Sequence, residues 1–210
     1  MATTILVTGF GPFPGTPFNP TGPLVEGLAR LRRPAFADAA IVPHIFPTSY
    51  EAVDRELPVL IAQHRPDAML MFGLAPRAKS IRVETRARNA ITLLPDATGR
   101  APQCGAIALG KPTTLAIPTP LRVLLAATRG ARLPAAASRN AGNYLCNYLC
   151  WRACEMAVES DGPRLAAFIH VPPVGRGTRP RGVAKPRLSL DDLIRAGSFL
   201  LAASVAAARR

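Results

Sequence analysis

The sequence holds only three histidines, His44, His64 and His170, so few residues can serve as an imidazole base. His44 falls late in a strand-like run and His64 at a helix end before Pro66; both read as structural or solvated. His170 closes the apolar run Phe168–Val171 just ahead of Pro172 and Pro173. A histidine at the C-terminal end of a strand in an α/β sheet stands where active sites form. From position alone it reads equally well as a core histidine satisfied by backbone groups.

Cys146 falls in the first turn of an expected helix. There the unpaired N–H groups and the helix dipole favour a thiolate, which makes the sulfur a nucleophile. Ala141 and Gly142 allow a tight strand-to-helix turn ahead of it, the mechanical logic of a nucleophile elbow without its G-x-S-x-G letters. Cys150 and Cys154 follow at four-residue steps on nearly the same face. One helix sets such residues about 6 Å apart in a row, which does not surround a metal tetrahedrally. No metal site is therefore expected, and both read as buried apolar thiols. Cys104 lies in a loop. Glu84 follows the strand-like run Ser80–Val83, where a carboxylate could orient an imidazole. A surface ion pair with a neighbouring arginine is the plainer reading of Glu84 by itself. No cofactor is expected: GFGPF (9–13) lacks the G-x-G-x-x-G spacing, and Pro12 removes a backbone donor that a phosphate would want.

The elements that must position these residues alternate along the chain. Short apolar strands are predicted at 3–9, 39–46, 67–73, 113–117, 134–138 and 165–171. Helices are predicted over 21–32, 49–64, 119–129 and 143–159, with a last one capped by Ser189 and running to Ala208. The alternation predicts one α/β domain over 1–210, a three-layer α/β/α sandwich around a mostly parallel or mixed twisted sheet. Residues 79–112 break the rhythm, and 172–188, rich in Pro, Gly and Arg, read as a mobile surface loop.

The net charge of +13 is carried almost wholly by arginine, since lysine occurs only at Lys79, Lys111 and Lys185. The arginines are scattered without a run of five, which favours a solvated basic surface over a nucleic-acid footprint. The opening residues enter a strand without a basic leader, and the apolar stretch 196–208 is too short to span a bilayer. Neither a membrane nor nucleic acid is an expected partner. The cysteines have no secreted-type spacing, so free thiols in a reducing, cytoplasmic compartment are expected.

Several motifs, in order along the chain, resemble the pyroglutamyl peptidase I family of cysteine peptidases. They are TGFGPF (8–13) with Asn19-Pro20, the E-x-x-A-x-N pattern at Glu84, Ala87 and Asn89, AGNYLCN (141–147), FIHVP (168–172) and LSLDD (188–192). The resemblance selects Cys146 over Cys150 as the nucleophile, with His170 as base and Glu84 as its orienting carboxylate. It implies release of an N-terminal pyroglutamate from peptides, and an assembly of dimers or tetramers. It places Phe10, Phe13 and Thr48 around the lactam ring, with Leu74, Tyr144 and Leu145 completing the substrate-binding set. Many members carry glutamine where this chain has Leu74. The family's arginine before Ile-Pro-Asp has no counterpart in 90–96, which leaves Arg86 or Arg88 as stand-ins. Two other readings stay open: a same-fold amidase acting on another small cyclic or N-blocked amide, and a non-catalytic basic protein that binds nucleic acid.

Overall fold

Strands β1 (Thr3–Phe10), β3 (Ala68–Leu74) and β8 (Leu165–Val171) are buried almost end to end, as strands covered on both faces must be. With β2 (Ala39–Phe46), β4 (Ile81–Glu84) and β7 (Ala135–Ser138) they form a six-stranded sheet in the order β2-β1-β3-β8-β4-β7. Every neighbouring pair is parallel except β4 against β8. The computed structural model describes residues 2–13, 15–159, 162–175 and 188–210. Most of the expected surface loop at 172–188 lies outside the described residues.

Side-chain alternation along each strand feeds two cores. Ile5, Val7, Leu70, Phe72, Ile81, Val83 and Ile169 pack with α1 (Thr21–Arg30), α3 (Leu121–Gly130) and α5 (Leu190–Ala208). Leu6, Phe10, Met69, Met71 and Phe168 pack with α2 (Tyr50–His64) and α4 (Leu145–Met156) on the opposite face. The architecture is thus the three-layer α/β/α arrangement with a mixed, mostly parallel sheet. His170 shares the parity of Phe168, and Glu84 is out of phase with Ile81 and Val83. Both therefore belong to the face that α4 covers.

Two expectations need correction. The strand near 113–117 does not join the main sheet: β6 (Thr114–Ala116) pairs antiparallel with β5 (Arg86–Arg88) in a separate two-stranded ribbon. Thr114 and Ala116 are exposed, too little apolar surface for a strand covered on both sides. The helix expected over 143–159 is also shorter, because Tyr144 is extended (φ −116°, ψ −159°) and starts α4 only at Leu145. The cap of α5 is as expected: Ser189 Oγ accepts from Asp192 N (3.1 Å), and the Asp192 carboxylate accepts from Ser189 N (3.0 Å). No helix among the described residues is long and apolar enough to cross a membrane.

Candidate active site

Cys146 stands at the second position of α4, where its N–H has no intrahelical carbonyl to bond. No side chain among the described residues caps this helix, so its N-terminal donors face the space in front of the sulfur. The chain reaches α4 from the end of β7 through Gly142, at φ +85°, a left-handed conformation that a residue with a Cβ resists. Asn147, fully buried, anchors the helix to the segment after Glu84. Its Nδ2 donates to the carbonyls of Arg88 and Ala90 (2.8 Å each), and its Oδ1 accepts from Arg88 N (3.0 Å).

His170 lies on β8 directly across from Gly73 of β3. A Cβ at Gly73 would come within 2.7 Å of the Cys146 sulfur and 2.9 Å of the Phe168 ring. The absence of a side chain there lets the thiol settle against the sheet beside the imidazole. Gly73→Ala is expected to displace the sulfur and lower kcat/KM by about 10²-fold, the scale of an ångström-sized misplacement. Steady-state kinetics beside a thermal melt check this, and an unchanged kcat/KM in the folded variant would contradict it.

His170 Nδ1–H donates to Glu84 Oε1 at 2.8 Å, with the carboxyl only 1% exposed. Among the described residues Glu84 Oε2 has no hydrogen-bond partner, so the imidazole is the carboxylate's one such partner there. The bland alternative, a surface ion pair with an arginine, is not what the structure contains. Burial works against the imidazolium. Interaction with Cys146 and then with Glu84 outweighs it and raises His170 from 6.5 to about 9. Since the folded value lies above the ordinary one, protonation of His170 stabilises the fold fully below about pH 6.5, and that contribution is lost as pH rises through about 9. The imidazolium should likewise persist until pH rises through about 9. The basic limb of kcat/KM is therefore expected near pH 9, as a property of the coupled pair. A basic limb at pH 6 to 7, the range of an unperturbed histidine, would contradict it.

Cys146 and His170 open onto a cavity of about 480 Å³. Phe10, Phe13, Thr48, Leu74, Tyr144 and Leu145 line it with them, and Glu84 sits behind His170. Phe10 is held by Thr21, whose Oγ1 accepts from Phe10 N at 2.9 Å. Asn19 fixes the turn between them: its Nδ2 donates to Gly11 O (3.1 Å), and its Oδ1 accepts from Thr21 N (3.1 Å). Asp96 ties down another wall. Its carboxylate accepts from Tyr50 N (3.0 Å) and Thr98 N (2.8 Å), while Ala97 N donates to Thr48 O (2.9 Å) and the Tyr144 hydroxyl to Pro95 O (3.1 Å). Burial would raise the Asp96 pKa, but the Thr98 hydroxyl and the N–H groups of Tyr50 and Thr98 hold it below the ordinary carboxylate value.

Other sequence candidates are placed elsewhere. Cys150 and Cys154 are buried in the α2/α4 core, Cys104 is exposed, and all four thiols are unbridged. His44 pairs with Glu56 at 3.0 Å. No group of three or more His, Cys, Asp or Glu side chains among the described residues could hold a metal ion. Neither proposed stand-in arginine lines the cavity: Arg86 Nε donates to Arg139 O (2.9 Å), and Arg88 Nη1 to Asn140 Oδ1 (3.0 Å). Arg77, Arg82, Asn19 and Asn140 do line it, and none was singled out as a site residue. Strand alternation in Ile81–Glu84 could have flagged Arg82, which shares the face of Glu84.

A sequence model described as pyroglutamyl peptidase matches residues 3–210. The pyrrolidone-carboxylate peptidase of Thermococcus kodakarensis is 34% identical over 187 residues, 89% of this chain and 87% of that protein. The solved pyrrolidone carboxyl peptidase of Thermococcus litoralis superposes with a TM-score of 0.86 at 28% identity, covering 97% of this chain and 94% of the other. Pyroglutamyl peptidase I of Bacillus amyloliquefaciens superposes with a TM-score of 0.82 at 28% identity, covering 99% and 98%.

Proposed function

The chain belongs to the pyroglutamyl peptidase family, a family of cysteine peptidases, and on that premise we propose how its residues hydrolyse the amide that follows an N-terminal pyroglutamate. Cys146 is the nucleophile, His170 the acid and base, and Glu84 the group that holds the imidazole in register. The observation that carries this reading is the buried 2.8 Å contact from His170 Nδ1–H to Glu84, in a cavity that also holds the Cys146 sulfur at an uncapped helix N-terminus.

The steps follow from these groups. The Cys146 thiolate adds to the pyroglutamyl carbonyl, and the oxyanion meets the N–H of Cys146 at the start of α4. As the C–N bond breaks, the His170 imidazolium gives its proton to the leaving amine, which departs as the shortened peptide. Water then attacks the thioester while His170 takes its proton, releasing 5-oxoproline and the thiolate. Pyroglutamate is an uncharged five-membered lactam, so flat apolar walls with a few hydrogen bonds suit it. Phe10, Phe13 and Leu74 supply the walls in this reading, and Thr48 a hydroxyl. A homo-oligomer and a cytoplasmic setting belong to the same proposal; four unbridged thiols support the second.

The test is a panel of aminoacyl-coumarin amides carrying pyroglutamyl, prolyl and acetyl-alanyl groups, assayed with and without a chelator and a thiol alkylator. Cleavage of the pyroglutamyl compound alone, insensitive to chelation and abolished by alkylation, is expected. Preference for an acyclic blocked group would turn the assignment to another amide, with Leu74 as the residue to examine.

A further inference from the structure

The cavity that holds Cys146 and His170 carries two guanidinium groups that the reaction above does not use. Arg77 lies in the connection from β3 to β4, and Arg82 lies on β4. Arg82 is the antiparallel partner of His170 across β4 and β8, and cross-strand partners project on the same face. Among the described residues, no aspartate or glutamate lines this cavity. Of the carboxylates behind it, Glu84 is engaged by His170 and Asp96 by donors of Tyr50 and Thr98. Neither arginine forms an ion pair among the described residues, whereas Arg100, Arg152 and Arg195 each hold an acidic neighbour. The described lining of the reactive cavity thus holds cationic side chains without an acidic one.

The sheet order gives these cations a side. The proposed lactam walls come from the end of β1 and the loops beside it, which carry Phe10, Phe13 and Thr48. Proceeding along β1-β3-β8-β4, Arg82 lies on the far flank of His170 from those walls. A terminal lactam has only one chain direction open to it. With the ring against the phenylalanines and its carbonyl at Cys146, the following residue passes His170 toward Arg82. A guanidinium binds a carboxylate through paired, charge-assisted hydrogen bonds and loses little by being partly desolvated.

We infer that Arg82, assisted by Arg77, forms a carboxylate-recognising subsite for the leaving group, so that pyroglutamyl peptides with a carboxylate on the residue after pyroglutamate are preferred. The inference rests on the pyroglutamyl-peptidase reading given above. Two sources deliver that carboxylate: an acidic side chain at that residue, or the free C-terminus of a dipeptide.

The experiment compares kcat/KM for four substrates, read as released 5-oxoproline: pyroglutamyl-alanine amide, pyroglutamyl-glutamate α-amide, free pyroglutamyl-alanine and pyroglutamyl-lysine amide. The two carboxylates are expected to exceed the neutral amide by about tenfold, with the lysine amide poorest. The larger of the two acidic ratios assigns the source. The preference should shrink at high salt, be largely lost in Arg82→Gln, be partly kept in Arg82→Lys and weaken in Arg77→Gln. Equal kcat/KM for all four substrates in the wild type overturns the subsite, whatever the variants do. So does an Arg82→Gln variant that lowers neutral and acidic substrates by the same factor, which would mean that Arg82 acts on the reaction and not on selection. Wild-type cleavage of the neutral amide without any acidic preference leaves the peptidase assignment standing and removes only the subsite. Cleavage of none of the four removes both.

Discussion

Cys146→Ser is expected to lose at least about 10³-fold in kcat, while Cys150→Ala stays near wild type. The two cysteines sit one helical turn apart and differ in every property that matters. Cys146 lines the cavity at the start of α4, beside the unpaired N–H groups of its first turn. Cys150 is fully buried in the α2/α4 core, and hydrogen bonding to Cys154 together with burial pushes its thiol well above the ordinary value. A serine hydroxyl at 146 would keep the shape but not the acidity, so a histidine tuned to a thiolate would face a far weaker acid. Full activity in Cys146→Ser, or loss in a folded Cys150→Ala, would move the nucleophile elsewhere. Kinetics on one pyroglutamyl substrate, beside melting curves, decide it.

Glu84→Gln carries the second large effect, a fall in kcat on the order of 10²-fold or more. Glutamine preserves volume and can still accept from His170 Nδ1–H through its carbonyl. It removes the buried negative charge that helps hold the imidazolium at about 9. The variant should therefore show a basic limb moved to lower pH, which a residue of purely structural importance would not produce. Glu84→Asp, a carboxylate on a shorter arm, should keep the limb near its wild-type position while losing rate through misplacement. An unmoved limb in Glu84→Gln would show that the carboxylate acts on the fold and not through His170.

Local pattern marks the elements that carry this site, and the family resemblance picks Cys146 and Glu84 out of them. The apolar runs of β1, β3 and β8 announce strands buried on both faces, and the E-x-x-A-x-N spacing has a structural meaning beyond Glu84. Ala87 is fully buried in the α2/α4 core, and Asn89 accepts from the N–H groups of Ile107 and Ala108 (2.8 and 2.9 Å). The same motif thus sets the carboxylate and ties down the loop after it. A strand is legible near β6, but its partner β5 is not, because three residues give no measurable alternation and Arg-Ala-Arg looks like a solvated turn. Arg82 escaped notice for a related reason. Polar residues alternating with Ile81 and Val83 read as an outward face, and only the register β8-β4 turns that face into the wall of a cavity. Asn147 closes the AGNYLCN motif, yet its partners carried no local signal. Its three bonds to Arg88 and Ala90 join segments far apart in the chain, and pairing over such a distance cannot be read from local pattern.

The most direct test of Cys146 as the covalent nucleophile is to trap its intermediate. The enzyme is mixed with excess pyroglutamyl–aminomethylcoumarin, quenched in acid during turnover, digested and sequenced by fragmentation mass spectrometry. A single pyroglutamyl group in thioester linkage at Cys146, absent from Cys150 in the same peptide and from Cys104, is the expected result. An acyl group on another cysteine, or steady turnover in a Cys146→Ala protein, would contradict the role given to Cys146.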